Sequence, residues 1–115
     1  MHCAAAALYA EAISPLLPLD VALLGIGEDG HTASLFPGHS HPRQTVVPVH
    51  DAPKPPPERI SLSPDTLCDA ETVCFLVTGS SKREIVHKVL QGEKLPAASI
   101  RGRQKTYLVT DIDPD

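Results

Sequence analysis

Between Asp20 and Gly38 an apolar run of strand length, Val21 to Leu24, empties into a turn holding Gly25, Gly27 and Gly30. No other stretch constrains the fold as tightly. An apolar run without alternation is the pattern of a strand covered on both faces, as in a parallel sheet. The turn also carries Glu28, Asp29 and His31. Open α/β folds hold their ligands at the carboxyl ends of such strands. A titratable imidazole beside a carboxylate at that position points to catalysis more than to scaffold.

Gly25-x-Gly27-x-x-Gly30 after a strand also matches a dinucleotide fingerprint, with Asp51 placed 21 residues beyond Gly30 as a ribose-binding acid. Three features oppose that reading. Pro37, Gly38 and Pro42 leave only His31 to Phe36 before the first breaker, too short for a crossover helix. Glu28 and Asp29 would bring negative charge to a pyrophosphate that needs bare N–H groups. A nucleotide cradle also has no use for His31.

The remaining segments extend the α/β pattern. From Ala4 to about Ser14 the chain is a helix, with Tyr9, Ala12, Ile13 and Leu16 at three- and four-residue spacing. Thr45 to Val49 is a short β-branched strand, and Pro48 places it at an edge. Asp51 to Arg59, with prolines at 53, 55, 56 and 57, is an extended loop. That loop is either a plain connection or a functional one, and Lys54 and Arg59 favour function. Ile60 to Ser63 is extended. Ser63 then caps a short helix with Pro64 in its first position. Thr72 to Thr78 is a second buried strand, Lys82 to Leu90 a helix stopped by Gly92, and Tyr107 to Thr110 a last strand. The alternation predicts one α/β domain over residues 1–115, a Rossmann-like three-layer α/β/α arrangement around a mostly parallel sheet.

Composition narrows the partners. The chain has 115 residues, enough to bury roughly two thirds of its unfolded surface. Two Tyr, two Phe and no Trp leave an aliphatic core and no stacking surface for bases. A net charge of −4 gives no general attraction to nucleic acid or anionic lipid, so an anionic substrate needs locally placed Lys or Arg. No apolar run reaches membrane-spanning length, and residues 1–7 lack a signal peptide's basic and apolar regions. Cys3, Cys68 and Cys74, with no CxxC spacing, are expected to be reduced, buried thiols of a cytoplasmic protein.

His31 is the candidate general base, and Asp29, two residues away, can accept its other ring N–H and fix the tautomer. No GxSxG elbow accompanies the pair, so water activated by His31 is expected over an acyl-enzyme through Ser34. His39-x-His41 has metal-ligand spacing but lacks a matching third ligand; neither a metal nor an organic cofactor is expected. Gly79-Ser80-Ser81-Lys82 follows the second strong strand and opens a helix, which makes an anion site without Walker spacing. His31 and Lys82 would then share one crevice beyond the strand ends.

Three blocks resemble the 6-phosphogluconolactonase family, within the glucosamine-6-phosphate isomerase/6-phosphogluconolactonase superfamily. They are Leu24-Gly-Ile-Gly-Glu-Asp-Gly-His-Thr-Ala-Ser-Leu-Phe-Pro37, Lys54-Pro-Pro-Pro-Glu-Arg-Ile-Ser-Leu62 and Val77-Thr-Gly-Ser-Ser-Lys82. The resemblance implies hydrolysis of 6-phospho-D-glucono-1,5-lactone to 6-phosphogluconate, a step of the pentose phosphate pathway. It implies His31 as base and Asp29 as its partner, Lys82 as phosphate ligand and Arg59 as a substrate-side cation. Gly27, Gly30 and Lys54 are the further substrate-binding positions. The deaminase branch carries a glutamate seven residues after the aspartate, where this chain has Phe36. Members of the family are much longer, and this chain resembles their C-terminal half. Their N-terminal half supplies a first strand with a glycine-serine phosphate loop. The expectation is therefore a fragment, a truncated product or one half of a two-chain assembly, with an unpaired sheet edge that invites association. The alternative function is a non-catalytic piece that binds a phosphosugar or a partner chain.

Overall fold

A computed structural model describes residues 2–113 of the chain. The elements run α1 (His2–Ile13), β1 (Val21–Leu24), β2 (Val46–Val49), β3 (Arg59–Leu62), α2 (Pro64–Cys68), β4 (Thr72–Val77), α3 (Arg83–Leu90), α4 (Pro96–Ser99) and β5 (Lys105–Thr110). Short 3₁₀ turns, Ser14–Leu16 and Ser80–Lys82, close α1 and lead into α3. Strands β1, β4 and β5 form one parallel sheet with β4 in the middle, and β2 and β3 form an antiparallel ribbon. The class is mixed α/β, as the alternation of elements required.

Sheet register decides where the core lies. In β4 the side chains of Val73, Phe75 and Val77 all turn to one face and are almost fully buried. Ala22 of β1 joins them, and the layer is completed by Leu67, Ile85, Val86, Ala97 and Ile100 from α2 to α4 and the segment after it. Val47 and Val49 of β2 extend the same core, which ties the ribbon to the sheet. Pro48 is tolerated because both strands of a two-stranded ribbon are edges.

Local chemistry sets the boundaries. Ser63 Oγ accepts the Thr66 N–H at 3.1 Å with Pro64 in the first turn, so α2 starts where the cap expects. Gly92, at φ +80°, ends the turn after α3. Strand β5 begins at Lys105, two residues before its apolar run, because Lys105 and Thr106 pair in register with Thr72 and Val73. The helix α4 carries no apolar periodicity long enough to announce it.

Three expectations are corrected. In α1 the packed side is Ala6, Ala10 and Ile13, continuing to Leu17, while Tyr9 and Leu16 are exposed. A helix with alanines on most of its sides offers several stripes, and these small residues allow close approach to the β2–β3 ribbon. Second, β1 is not covered on both faces: Val21 and Leu23 are 59% and 67% exposed. Helices and ribbon occupy one face of the sheet, and no described residue covers the other. Third, Cys68 and Cys74 are free thiols but only partly buried, and the side chain of Cys3 lies outside the described residues.

Candidate active site

The site begins where β1 ends. Gly27 N–H donates to the His31 carbonyl at 2.8 Å and Gly30 N–H to the Gly27 carbonyl at 2.9 Å, folding residues 25–31 into a closed turn. Thr32, fully buried, locks it from beneath by donating to the Gly25 carbonyl at 2.7 Å. Gly30 sits at φ +92°, a conformation that suits glycine. Gly27 is required for space, since a Cβ there would overlap Nδ1 and Cε1 of the His31 ring. No crossover helix follows: the chain turns again at Thr32–Leu35, against the dinucleotide reading.

Asp29 Oδ1 accepts two hydrogen bonds from His31, from ring Nδ1 at 2.6 Å and from the backbone N–H at 3.0 Å. Burial works to raise the Asp29 carboxyl, but these hydrogen bonds and the charge of the His31 ring outweigh it and hold the group below its ordinary value. With Nδ1–H committed to the carboxylate, Nε2 is the free base position of the imidazole. Phe36 fixes the ring from one side, its centroid 4.6 Å from that of His31 at a tilt of 35°.

The cations come from two other segments. Lys82, at the end of the 3₁₀ turn after β4, donates from Nζ to the Ile26 carbonyl at 2.6 Å. That bond uses one of three ammonium protons and aims the charge across the mouth of the turn. The loop beneath it is tied down by Asp111, whose Oδ1 accepts the Gly79 N–H at 3.1 Å. A cavity of about 330 Å³ brings Gly27, Glu28, His31, Lys54 and Lys82 together at the carboxyl ends of β1 and β4.

Two sequence-predicted residues stand elsewhere. Gly30 faces Leu95 and accepts from Ala97 N–H at 3.0 Å, so it braces the turn instead of lining the cavity. Arg59 donates to the carbonyls of Lys54, Pro55 and Pro56 at 2.8, 3.3 and 2.9 Å. Its guanidinium lies 5.3 Å from the Phe36 centroid. Arg59 thus folds the proline loop, which presents Lys54, and touches the ring that backs His31. Thr32, Phe36 and Asp111 are site-shaping residues that sequence reasoning did not assign. Only their nearness to the glycine turn, or to the end of the last strand, could have flagged them.

A larger cleft of about 540 Å³ lies beyond Phe36, lined by His39, His41, Glu93 and Leu95 among others, and it does not include the Asp29–His31 pair. His41 Nε2 is buried there without a hydrogen-bond partner among the described residues. No group of three or more His, Cys, Asp or Glu side chains among the described residues is disposed to hold a metal ion. No described helix is long and apolar enough to cross a membrane.

A parallel sheet with an acid-braced histidine at its carboxyl edge and a lysine across the same cavity defines the class as an α/β protein with its candidate site at the strand ends. Residues 2–109 match the family model described as glucosamine-6-phosphate isomerases/6-phosphogluconolactonase, and the chain belongs to that family. It is 40% identical over 104 residues to 6-phosphogluconolactonase 3 of Saccharomyces cerevisiae, covering 81% of this chain and 42% of that protein. It is 45% identical over 98 residues to 6-phosphogluconolactonase of Streptomyces coelicolor, covering 80% and 38%. The crystal structure of 6-phosphogluconolactonase from Thermotoga maritima superposes with a TM-score of 0.87 at 28% identity, over 96% of this chain and 51% of that one. The chain therefore spans between 38% and 51% of the length of these relatives.

Proposed function

We propose that the chain carries the water-activating part of a 6-phosphogluconolactonase, hydrolysing 6-phospho-D-glucono-1,5-lactone to 6-phosphogluconate in cytoplasmic pentose phosphate metabolism. The observation that carries this reading is the Asp29–His31 pair facing Lys82 across one cavity. His31 Nε2 takes a proton from water, and the resulting hydroxide adds to the lactone carbonyl carbon. Asp29 holds Nδ1–H and stabilises the imidazolium that forms. As the tetrahedral species collapses, the bond to the ring oxygen breaks and His31 returns its proton to that oxygen. Lys82 and Lys54 hold the phosphate, a contact equal in ground and transition states. Gly27 allows the ring of His31 its place, Gly30 fixes the turn, and Arg59 serves the substrate side by shaping the loop of Lys54.

Deamination of an amino-sugar phosphate is the competing chemistry within the family. Phe36 speaks against it: this residue, where the deaminase branch carries its glutamate, is a buried ring stacked on His31 and can donate no proton. A pH-stat assay of the chain combined with the unmatched half of a relative tests the reading. Acid release from the lactone without ammonia from glucosamine 6-phosphate is expected; ammonia at a comparable rate would overturn it. Binding of 6-phosphogluconate by that assembly with no turnover would favour the non-catalytic alternative.

A further inference from the structure

Glu28 stands in the site but has no part in the chemistry assigned so far. The bond from Gly30 N–H to the Gly27 carbonyl makes Glu28 and Asp29 the central residues of one tight turn. Asp29 folds back onto His31, whereas Glu28 lines the cavity shared by His31, Lys54 and Lys82. Glu28 is exposed, and among the described residues it forms no ion pair with either lysine or with any other cation. A free carboxylate on the wall of a cavity opposes any anion inside it. How strongly it does so depends on where the ligand carries its charge.

We propose that Glu28 discriminates against the product and hastens its release, by repelling the carboxylate that forms at the reacting carbon. The inference rests on the lactonase reading. The lactone carries charge only on its phosphate, and its reacting carbonyl is neutral. When His31 takes the proton of water, the imidazolium matches the negative charge of the tetrahedral species. The cavity therefore gains no net charge in that step. Collapse returns the proton to the ring oxygen and leaves a carboxylic acid, which loses its own proton to solvent. One negative charge thus appears at the His31 end, and only at the product stage. Glu28 belongs to the same closed turn as His31, three residues before it. Across a cavity of about 330 Å³ charges lie within roughly one Debye length, 8 Å at physiological salt, so they still feel one another. Lys82 and Lys54 meet the same phosphate in substrate and product, and cannot tell the two apart. Glu28 can.

The test is an NMR titration of the chain with 6-phosphogluconate and with glucitol 6-phosphate, which has CH₂OH in place of the carboxylate. At low salt, Glu28→Gln should shift the ratio of the two affinities toward 6-phosphogluconate by about 3- to 10-fold, the size of one like-charge contact in a wet site. Glu28→Asp keeps the charge and should restore most of the original ratio. The shift should shrink in salt of about 1 M, where screening acts beyond about 3 Å. Circular dichroism of each variant checks the fold. A ratio unmoved by Glu28→Gln, or moved as far by Glu28→Asp, overturns the inference and leaves the lactonase reading standing. Affinities that both fall at an unmoved ratio would mean that Glu28 instead accepts hydrogen bonds from sugar hydroxyls. A folded chain that binds neither ligand overturns the reading of this cavity as a phosphosugar site, and the inference with it.

Discussion

Gly27 ties backbone to chemistry: the His31 ring occupies the space a side chain would need. Gly27→Ala should therefore displace the imidazole while leaving its identity and its Asp29 partner intact. Displacement of a reacting group by about 1 Å can cost on the order of 10²-fold in rate. A kcat loss of that size, with fold retained by circular dichroism, is the expected outcome. Asp29 carries a pH consequence. Its folded carboxyl lies below the ordinary value, so the pair's contribution is complete above the unfolded value of 3.8 and is lost only as pH falls through the lower folded one. Carbon-13 titration of the Asp29 carboxyl should show that low midpoint, and His31→Ala should raise it. His41 behaves in the same sense within a different window. Burial first, then the charge of His39, depress it below 6.5, so the unfolded chain takes up the proton earlier and stability falls as pH drops through that window. His41→Phe should flatten that fall in melts between neutral and mildly acid pH.

At the level of elements, capping gives a sharper prediction than propensity. Ser63 Oγ accepts from Thr66 N–H and donates to Thr66 Oγ1, which in turn donates to the Thr45 carbonyl, joining α2 to the residue that leads into β2. Both side chains are buried, so Ser63→Ala leaves a donor unsatisfied and should cost about 1–2 kcal/mol. Denaturant unfolding of the variant checks that figure. This cap was legible because Ser-Pro before a helix is local chemistry, and the strand ending in a glycine turn was legible for the same reason. Other features were not local. Apolar runs cannot say whether a second layer of chain is present, so β1 read as covered on both faces although Leu23 stands in the open. The face of α1 was ambiguous because alanines surround it. Arg59 was legible as a cation near the site, but its use on three loop carbonyls depends on how the prolines fold back.

Across the whole molecule, one sheet separates a packed side from a bare one and carries the acid–base pair at its carboxyl end. The packed side anchors the site: β1, β4 and the α3 and α4 region share one core, so His31 and Lys82 are held beyond the ends of neighbouring strands. Their roles separate in kinetics. In the proposed mechanism Lys82 meets a phosphate that does not react, so Lys82→Ala in the assembly that turns over should chiefly raise KM. In that mechanism His31 acts on the reacting water, and its loss should appear in kcat. The most direct measurement is pH-stat kcat for 6-phospho-D-glucono-1,5-lactone with His31→Ala in the assembly that turns over. A loss on the order of 10²–10⁴-fold in a folded protein is expected. A folded His31→Ala variant with near-normal kcat would contradict it, because water would then be activated elsewhere.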